Sequence, residues 1–172
     1  PLNLLTYKPT IYSPNVSADD LANGNDWVEK VRNIAAAENA QLVVISAQVE
    51  SELIELPEEE IADYLESLGV EEGGLKSLIK ATYQLLGLRT YFTTGEKETK
   101  AWTIKAGMLA PQAAGVIHTD FERGFIRAET IAYEDLVTSG SMTAAKEKGL
   151  LRSEGKDYLV KEGDIMLFRF NV

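Results

Sequence analysis

The spacing of apolar residues changes at Leu88 and divides the chain into two parts with different predicted secondary structure. Before this point, apolar residues such as Leu75 and Ile79 recur four positions apart, as on one face of a helix. After it, short segments rich in β-branched and aromatic residues alternate with turns. We therefore predict two units, residues 1–87 and residues 88–172.

The first part predicts an α/β arrangement with parallel strands. An extended segment, Lys8–Val16, precedes a helix that begins near Asp26 and ends near Asn39. The apolar run Gln41–Ser46 then has the length of a strand covered on both faces. The order strand, helix, strand favours a right-handed parallel crossover. Three further helices are predicted, over residues 50–56, 57–68 and 74–86.

The second part predicts a sheet with few helices. Two strands joined by a short loop form a hairpin, a short helix that opens with proline follows, and further strands end the chain. The predicted strands are 90–94, 100–104, 125–131, 158–160 and 165–170, with helices over 111–117 and within 133–148. Two strands, a helix and then more strands is the order of the β-grasp fold.

The composition excludes several kinds of site. The 172 residues contain no cysteine and one histidine, so disulfides and thiolate zinc centres are excluded. No apolar run approaches the roughly 20 residues that span a bilayer, and the first residues lack the basic region of a signal peptide. We therefore expect a cytoplasmic protein without a membrane partner.

The excess negative charge lies entirely in the first part. Residues 1–87 contain 5 Lys or Arg against 15 Asp or Glu, whereas residues 88–172 contain 12 of each kind. Such an acidic surface repels nucleic-acid phosphates, so any such contact is expected in the second part. The simpler alternative is that the acidic surface only improves solubility.

A resemblance to a known family rests on several long segments of the second part. They are Tyr91–Glu98, Ala101–Ile104, Ala110–Glu129, Glu154–Tyr158, Gly163–Met166 and Phe168–Val172. These segments are similar to the TGS domain and the terminus of YchF-type Obg-like ATPases. In the first part, Lys8–Asn15, Ile45–Ala47 and the helices before Leu88 resemble the last portion of that family's P-loop nucleotide domain.

The resemblance implies an α/β fold with two domains. Residues 1–87 would be the C-terminal portion of a P-loop domain, with its parallel-sheet remnant, and residues 88–172 a β-grasp TGS domain. The chain would begin just after a coiled-coil hairpin inserted in that domain. The family uses Mg²⁺ and ATP, prefers ATP to GTP, and associates with ribosomes or ribosomal RNA. A monomer is expected.

The resemblance also implies a base-contact site. In P-loop GTPases an Asn-Lys-x-Asp loop after a strand binds the base, and its aspartate accepts two hydrogen bonds from guanine. YchF-type proteins have Asn-x-x-Glu there, and Asn15-Val16-Ser17-Ala18 occupies this position. Ala18 replaces the glutamate, so the guanine-type acid is absent. Asn15 could instead only cap the strand end in an Asx turn.

A second base-side loop is implied at Ser46-Ala47, after the apolar run. The predicted base-contact residues are thus Asn15, Val16, Ser46 and Ala47. The chain has no Gly-x-x-x-x-Gly-Lys-Ser/Thr run to hold a triphosphate. We therefore expect it not to hydrolyse ATP, to bind nucleotide only weakly, and to contain neither catalytic residues nor a metal site.

Basic residues of the second part are candidates for contact with RNA or the ribosome. They are Lys97, Lys100, Lys105, Arg123, Arg127 and Lys156. Lysine and arginine on a β-grasp surface could bind phosphates without selecting a sequence, although scattered solubilising charge is an equal alternative. The only histidine, His118, lacks a nucleophile motif and is predicted to be structural.

A different class of function remains open at this stage. The chain could be a stand-alone β-grasp module that binds RNA or protein, with the first part serving only as a scaffold. The presence or absence of a P-loop in the same polypeptide separates the two hypotheses.

Overall fold

The computed structural model describes residues 4–95 and 98–171, so Lys97 lies outside the described residues. The chain divides into two compact units, Pro1–Leu86 and Gly87–Val172. Each unit has its own secondary structure and is described separately.

The first unit is an α/β unit with a short parallel sheet. After a 3-10 turn at Leu5–Tyr7, its elements are β1 (Ile11–Tyr12), α1 (Asp26–Ala37), β2 (Gln41–Leu42), α2 (Ala47–Glu55), α3 (Glu58–Ser67) and α4 (Gly74–Leu85). Strands β1 and β2 pair in parallel, and a single bridge between Asn15 and Ile45 extends the pairing. The order strand, helix, strand agrees with the sequence prediction.

The predicted strand over 41–46 is shorter and less buried than expected. Only Gln41 and Leu42 form strand β2, and residues 41–45 are half-buried instead of being covered on both faces. The physical reason is the size of the sheet, because β1 is the only strand paired with β2 among the described residues. A strand is buried on both faces only when it lies inside a larger sheet that is covered on both sides, and a strand with a single paired strand is not.

Local signals explain where α1 begins and ends. The Asn25 side-chain oxygen accepts hydrogen bonds from the backbone N–H groups of Trp27 and Val28, which satisfies two donors of the first turn. Val28 and Ala35 are the buried residues of this helix and lie on its inner side. Asn39 follows with φ of 53°, a left-handed conformation that asparagine tolerates better than most residues.

The second unit is a five-stranded sheet with helices on both faces. Its elements are β3 (Leu88–Thr94), β4 (Thr99–Lys105), α5 (Ala110–Ile117), α6 (Thr119–Arg123), β5 (Phe125–Ala132), α7 (Tyr133–Ser139), α8 (Met142–Glu147), β6 (Arg152–Glu154) and β7 (Asp164–Phe170). The strand order is β4-β3-β7-β5-β6. The central pair β3–β7 is parallel, and the other pairs are antiparallel.

Two apolar clusters hold the second unit together. The larger packs α5 against one face of the sheet around buried Tyr91 and Met166. The smaller packs α7 and α8 against the other face around Ile131 and Ile165. Because α7 and α8 are short, part of this second face stays open, and Leu167 on β7 is 41% exposed.

One strand prediction for the second unit was wrong. The predicted strand Tyr158–Val160 forms only an isolated bridge between Leu159 and Leu109, and the strand next to β5 is Arg152–Glu154 instead. The backbone of Tyr158–Val160 bonds instead to residues 108–110, where Ala110 donates to Tyr158 and Met108 accepts from Val160. The predicted mixed segment 133–148 contains two helices separated by Gly140. Helix α6 was not predicted.

Candidate functional site

The parallel pairing of the first unit brings the ends of two loops together. Val16 donates a backbone hydrogen bond to Ile45 at 2.8 Å, and Ile45 donates one to Pro14 at 3.0 Å. These bonds continue the ladder beyond β1 and β2, so Asn15 and Ser46 lie at the same edge. Carboxyl ends of parallel strands are the usual place for ligand contact in α/β sheets.

Asn15 is held by a direct bond to the second loop. Its Oδ1 accepts a hydrogen bond from the Ala47 backbone N–H at 2.9 Å. Because that N–H can only donate, the oxygen of the amide must face it, and the Nδ2 group remains as a donor. The Asn15 side chain is exposed, so this donor is accessible to a ligand. The four predicted residues Asn15, Val16, Ser46 and Ala47 are therefore neighbours.

Ser46 and Ala47 have different roles in this arrangement. Ser46 is 1% exposed and is the N-cap of α2, with its Oγ 3.5 Å from the Val49 backbone nitrogen. Its hydroxyl therefore faces the helix and not the solvent. Ala47 is exposed, and its N–H is already bonded to Asn15. Contact with a base at this loop would involve the exposed edge of Ala47 and the Asn15 amide.

A close approach between α4 and the end of β2 supports the second loop from behind. A Cβ atom at Gly74 would lie 2.8 Å from Ile45 Cγ2 and 3.0 Å from Ile45 Cα. Both Gly73 and Gly74 are buried. Only glycine at position 74 allows the first turn of α4 to pack against the residue that precedes Ser46.

The loop after Asn15 contains two acids, Asp19 and Asp20, whose roles the sequence alone did not distinguish. Ala18 is half-buried and Asp19 is exposed. Asp20 Oδ2 accepts hydrogen bonds from Ser17 Oγ at 3.1 Å and from Asn25 Nδ2 at 2.9 Å. Asp20 thus orients Asn25, which caps α1, and uses its Oδ2 for both hydrogen bonds. Sequence analysis did not predict this role of Asp20. The only available signal was that Asp20 lies five residues before Asn25, the N-cap of α1.

The predicted basic residues of the second unit lie on different elements. Lys100 Nζ is 4.2 Å from the centroid of the Trp102 ring, a cation–π contact at the edge strand β4. Lys105, Arg123 and Lys156 are exposed at the end of β4, in α6 and in the loop after β6.

Arg127 belongs to a cluster on the open face of the sheet. Its guanidinium lies 3.1 Å from Glu129 Oε1, and the Arg169 guanidinium lies 3.2 Å from Glu129 Oε2. The hydrogen bond from Arg169 lowers the pKa of Glu129, with smaller contributions from the charges of Arg127 and Lys146. Three basic groups therefore surround one carboxylate. Arg169 and Lys146 were not predicted, because their position depends on strand register and helix placement.

His118 has a structural position. It is 61% exposed, and its Nδ1 accepts a hydrogen bond from the Asp120 backbone N–H at 3.2 Å, which caps α6. Over residues 4–95 and 98–171, no group of three or more His, Asp or Glu side chains could hold a metal ion. No helix in the same residues is long and apolar enough to cross a membrane.

Comparisons with known proteins cover both units. A family model named YchF-GTPase_C, described as a protein of unknown function (DUF933), matches residues 88–171. The ribosome-binding ATPase YchF of Bacillus subtilis is 58% identical over 173 aligned residues, which include 99% of this chain. The chain belongs to the YchF family. It corresponds to the C-terminal part of YchF proteins, as the sequence resemblance predicted.

Other YchF relatives give the same alignment. The YchF protein of Escherichia coli O157:H7 is 53% identical over 99% of the chain, and Obg-like ATPase 1 of Rattus norvegicus is 43% identical over 98%. The chain spans about half the length of these relatives, 47% of the two bacterial proteins and 43% of the rat protein. Because the similarity includes the first unit, it does not favour a β-grasp module with a mere scaffold attached.

Solved structures of YchF-like proteins support the fold. The YchF GTPase of Schizosaccharomyces pombe superposes with a TM-score of 0.79 at 37% identity, covering 96% of this chain and 44% of that protein. A GTP-binding protein of Pyrococcus horikoshii superposes with a TM-score of 0.64 at 18% identity, covering 95% and 46%, which shows the fold alone. The chain is therefore an α/β protein with a mixed sheet and helices, like its YchF neighbours.

Proposed function

We propose that this chain supplies the base-contact edge and a ribosome-directed surface of a cytoplasmic ATP-binding YchF protein. The observation that carries the first part is the 2.9 Å hydrogen bond from the Ala47 N–H to Asn15 Oδ1. This bond fixes the amide so that its Nδ2 donor faces outward at the edge where parallel strands end. The relatives are described as ribosome-binding ATPases, which supports the wider role.

The residues at the base edge lack the acid that selects guanine in P-loop GTPases. An outward Nδ2 donor can bond the ring nitrogen acceptor that both purines share, so Asn15 alone does not select between them. Discrimination for guanine in P-loop proteins depends on an acid that accepts two hydrogen bonds, and Ala18 occupies that position. The nearby Asp20 carboxylate is already bonded to Ser17 and Asn25. We propose ATP as the preferred nucleotide and GTP as the weaker one, which agrees with the description of the relatives as ATPases.

The base edge fits a nucleotide, but the described residues do not fit its metal. They contain no cluster of three metal-ligating side chains, and the sequence has no phosphate-binding loop. When bound, Mg²⁺ and the triphosphate would supply the chemistry of hydrolysis, whereas these residues orient the base. Nucleotide affinity of the chain by itself is accordingly weak.

We assign the two units to the domains implied by the resemblance. The parallel pair β1–β2 with α1 between them is a remnant of a P-loop domain sheet. In the second unit, counted from its own first strand, the order is 2-1-5-3-4 with the first and last strands parallel, which is the β-grasp order. That order and the family match over residues 88–171 support a TGS domain.

Exchange of Asn15 separates the structural role of the amide from base contact. Asn15→Asp keeps an oxygen acceptor for the Ala47 N–H but removes the Nδ2 donor, so folding should persist while adenosine binding weakens about fivefold to tenfold. Asn15→Ala removes both groups and should also release the second loop. Titration with adenosine and guanosine, followed by amide NMR shifts of residues 15–19 and 45–49, measures both effects.

The matched control is Asn33→Asp, an exposed asparagine on α1 away from the two loops. It should leave adenosine binding unchanged. The proposal fails if Asn15→Asp binds adenosine as well as the unchanged chain does, or if guanosine binds more tightly than adenosine.

The ribosome-directed surface should depend on the arginines around Glu129. Replacing both Arg127 and Arg169 by glutamine removes two phosphate-binding groups while the sheet remains paired. Co-sedimentation with ribosomes should weaken, and the slope of log affinity against log salt should fall by about 1 to 2. Arg32→Gln, in the acidic first unit, is the control. Equal pelleting of both variants would exclude this surface.

A further inference from the structure

An apolar groove crosses the first unit away from the base-contact loops. It has a volume of about 750 Å³ and lies between α2, α3 and α4. Its apolar lining includes Leu53, Ile61, Leu65, Leu75 and Ile79. Leu75 and Ile79 follow each other at helical spacing, and they remain 55% and 52% exposed. Such a continuous apolar surface is typical of a binding groove.

The rim of the groove is acidic. Four glutamates line it, Glu50, Glu58, Glu71 and Glu72, against two lysines, Lys76 and Lys80. Both lysines are paired with Glu72, at 3.8 Å for Lys76 and at hydrogen-bond distance for Lys80. The bond from Lys80 lowers the pKa of Glu72, so this carboxylate stays ionised. Four carboxylates against two ammonium groups leave the lining of the groove with net negative charge.

Glu50 adds an unbalanced charge at one end of the groove. Within the described residues, its Oε1 is shielded from solvent and has no hydrogen-bond partner. The same oxygen lies 3.1 Å from the Cβ position that an alanine at Gly73 would have. A buried carboxylate oxygen without a donor is costly, and a cation placed in the adjoining groove would reduce that cost.

These features together define the occupant. Nucleic acid is excluded by the negative rim, and a purely apolar ligand would leave the carboxylates without partners. Helix α3, with 10 residues, is about 15 Å long, so the groove accommodates two to three turns of an opposing helix. On such a helix, apolar side chains at positions i, i+3 and i+4 would match the apolar floor of the groove, and flanking basic side chains would match its acidic rim.

We propose that this groove binds a basic amphipathic helix of a protein partner. Its leucine-like side chains would pack against Leu75 and Ile79, while its lysines or arginines would pair with Glu58, Glu71 and Glu50. None of the four candidate base-contact residues lines this groove.

A designed peptide tests the proposal directly. The probe is an 18-residue helical peptide in which leucines repeat at three- and four-residue spacing and the other positions are lysine or alanine. Titration of the full chain, followed by fluorescence anisotropy, should show one saturable site. A scrambled peptide of identical composition should bind at least tenfold more weakly, because it has the charge but no apolar face.

Paired variants locate the binding site. Leu75→Ser and Ile79→Ser should each weaken binding about tenfold, since each removes an apolar contact from the floor. Ile54→Ser is the control, because Ile54 is 84% exposed and does not line the groove. Glu71→Gln should weaken binding about threefold at low salt, with Glu55→Gln as its control. Circular dichroism verifies that each variant keeps its helices, which is expected for such exposed positions.

Four outcomes would overturn the proposal. The scrambled peptide could bind as tightly as the amphipathic one, which would indicate general charge attraction. The Ile54→Ser variant could lose as much affinity as Ile79→Ser. Peptide-induced NMR shifts could fall outside residues 50–80, or a short RNA could displace the peptide from those residues. The same variants should bind adenosine as the unchanged chain does. Adenosine titration therefore distinguishes a failure of this proposal from a failure of the proposed base contact.

Discussion

Replacing Asp164 by alanine is expected to destabilise the second unit by about 2–4 kcal/mol, because partly buried donors would lose their charged acceptor. Asp164 is 2% exposed at the start of β7. Its Oδ2 accepts hydrogen bonds from the Tyr158 hydroxyl and from the Lys161 backbone N–H, each at 2.8 Å. The Arg152 guanidinium lies 3.7 Å from its Oδ1. Alanine would leave all three donors without this acceptor.

The protonation state of Tyr158 supports its role as a hydrogen-bond donor to Asp164. Burial raises the pKa of Tyr158 to about 12, and its hydrogen bond to Asp164 contributes in the same direction. The phenol therefore stays protonated at neutral pH and remains a donor. Asp164 thus holds the loop between β6 and β7, whose backbone also bonds the segment before α5.

Urea unfolding monitored by tryptophan fluorescence, in chains that all carry Trp27→Phe so that Trp102 is the reporter, would measure the effect. Asp157→Ala is the matched control, because Asp157 is an exposed carboxylate in the same loop and should change stability by less than about 0.5 kcal/mol. Tyr158→Phe removes two hydrogen bonds, the one that the hydroxyl donates to Asp164 and the one that it accepts from Arg152, and should cost about 1–2 kcal/mol. If Asp164→Ala were no more destabilising than Asp157→Ala, the buried network would have no structural role.

This network shows why one strand was misplaced by sequence analysis. Tyr158-Leu159-Val160 has strand-like composition, but the Tyr158 hydroxyl is bonded to a carboxylate six residues later, and the backbone pairs with residues 108–110. Strand β6 at Arg152–Glu154 contains two charged residues and a serine, which carry no strand signal. Tertiary contacts, and not local propensity, determine the pairing of both segments.

The resemblance to the family named the residues of the candidate base edge but not their contacts. The structure places Asn15 beside Ser46 and Ala47, because the parallel pairing extends to the bridge between Asn15 and Ile45. The inward position of the Ser46 hydroxyl and the bonding of Asp20 depend on helix capping in three dimensions. Likewise, Arg127 and Arg169 meet at Glu129 because of the register between β5 and β7, which sequence alone does not determine.

Replacing Gly74 by alanine is expected to disturb the base edge from a distance. The new Cβ would lie 2.8 Å from Ile45 Cγ2 and 3.0 Å from the Ile45 Cα, closer than side-chain atoms normally approach. Relief requires movement of the Ile45 backbone or of α4, at a cost of about 1–3 kcal/mol. Part of that cost is offset because alanine favours helix over glycine by up to about 1 kcal/mol.

The adjacent glycine provides the control. A Cβ at Gly73 would approach only the ends of the Glu50 and Leu53 side chains, at 3.1 Å and 3.2 Å. These flexible ends can move without displacing the backbone, so Gly73→Ala should change stability by less than about 1 kcal/mol. Neither glycine has positive φ, so the two variants differ mainly in what their new methyl groups meet.

The consequence for the base edge follows from the position of Ile45 in the ladder. Its N–H donates to Pro14 and its carbonyl accepts from Val16, so a shift of Ile45 moves both loops relative to each other. The Asn15–Ala47 bond should then weaken, and hydrogen exchange at the Ala47 amide should accelerate about tenfold in Gly74→Ala but not in Gly73→Ala. Equal exchange in the two variants would mean that α4 does not support the second loop. A selective change would show that the backbone packing at Gly74 maintains the hydrogen bond between Ala47 and Asn15.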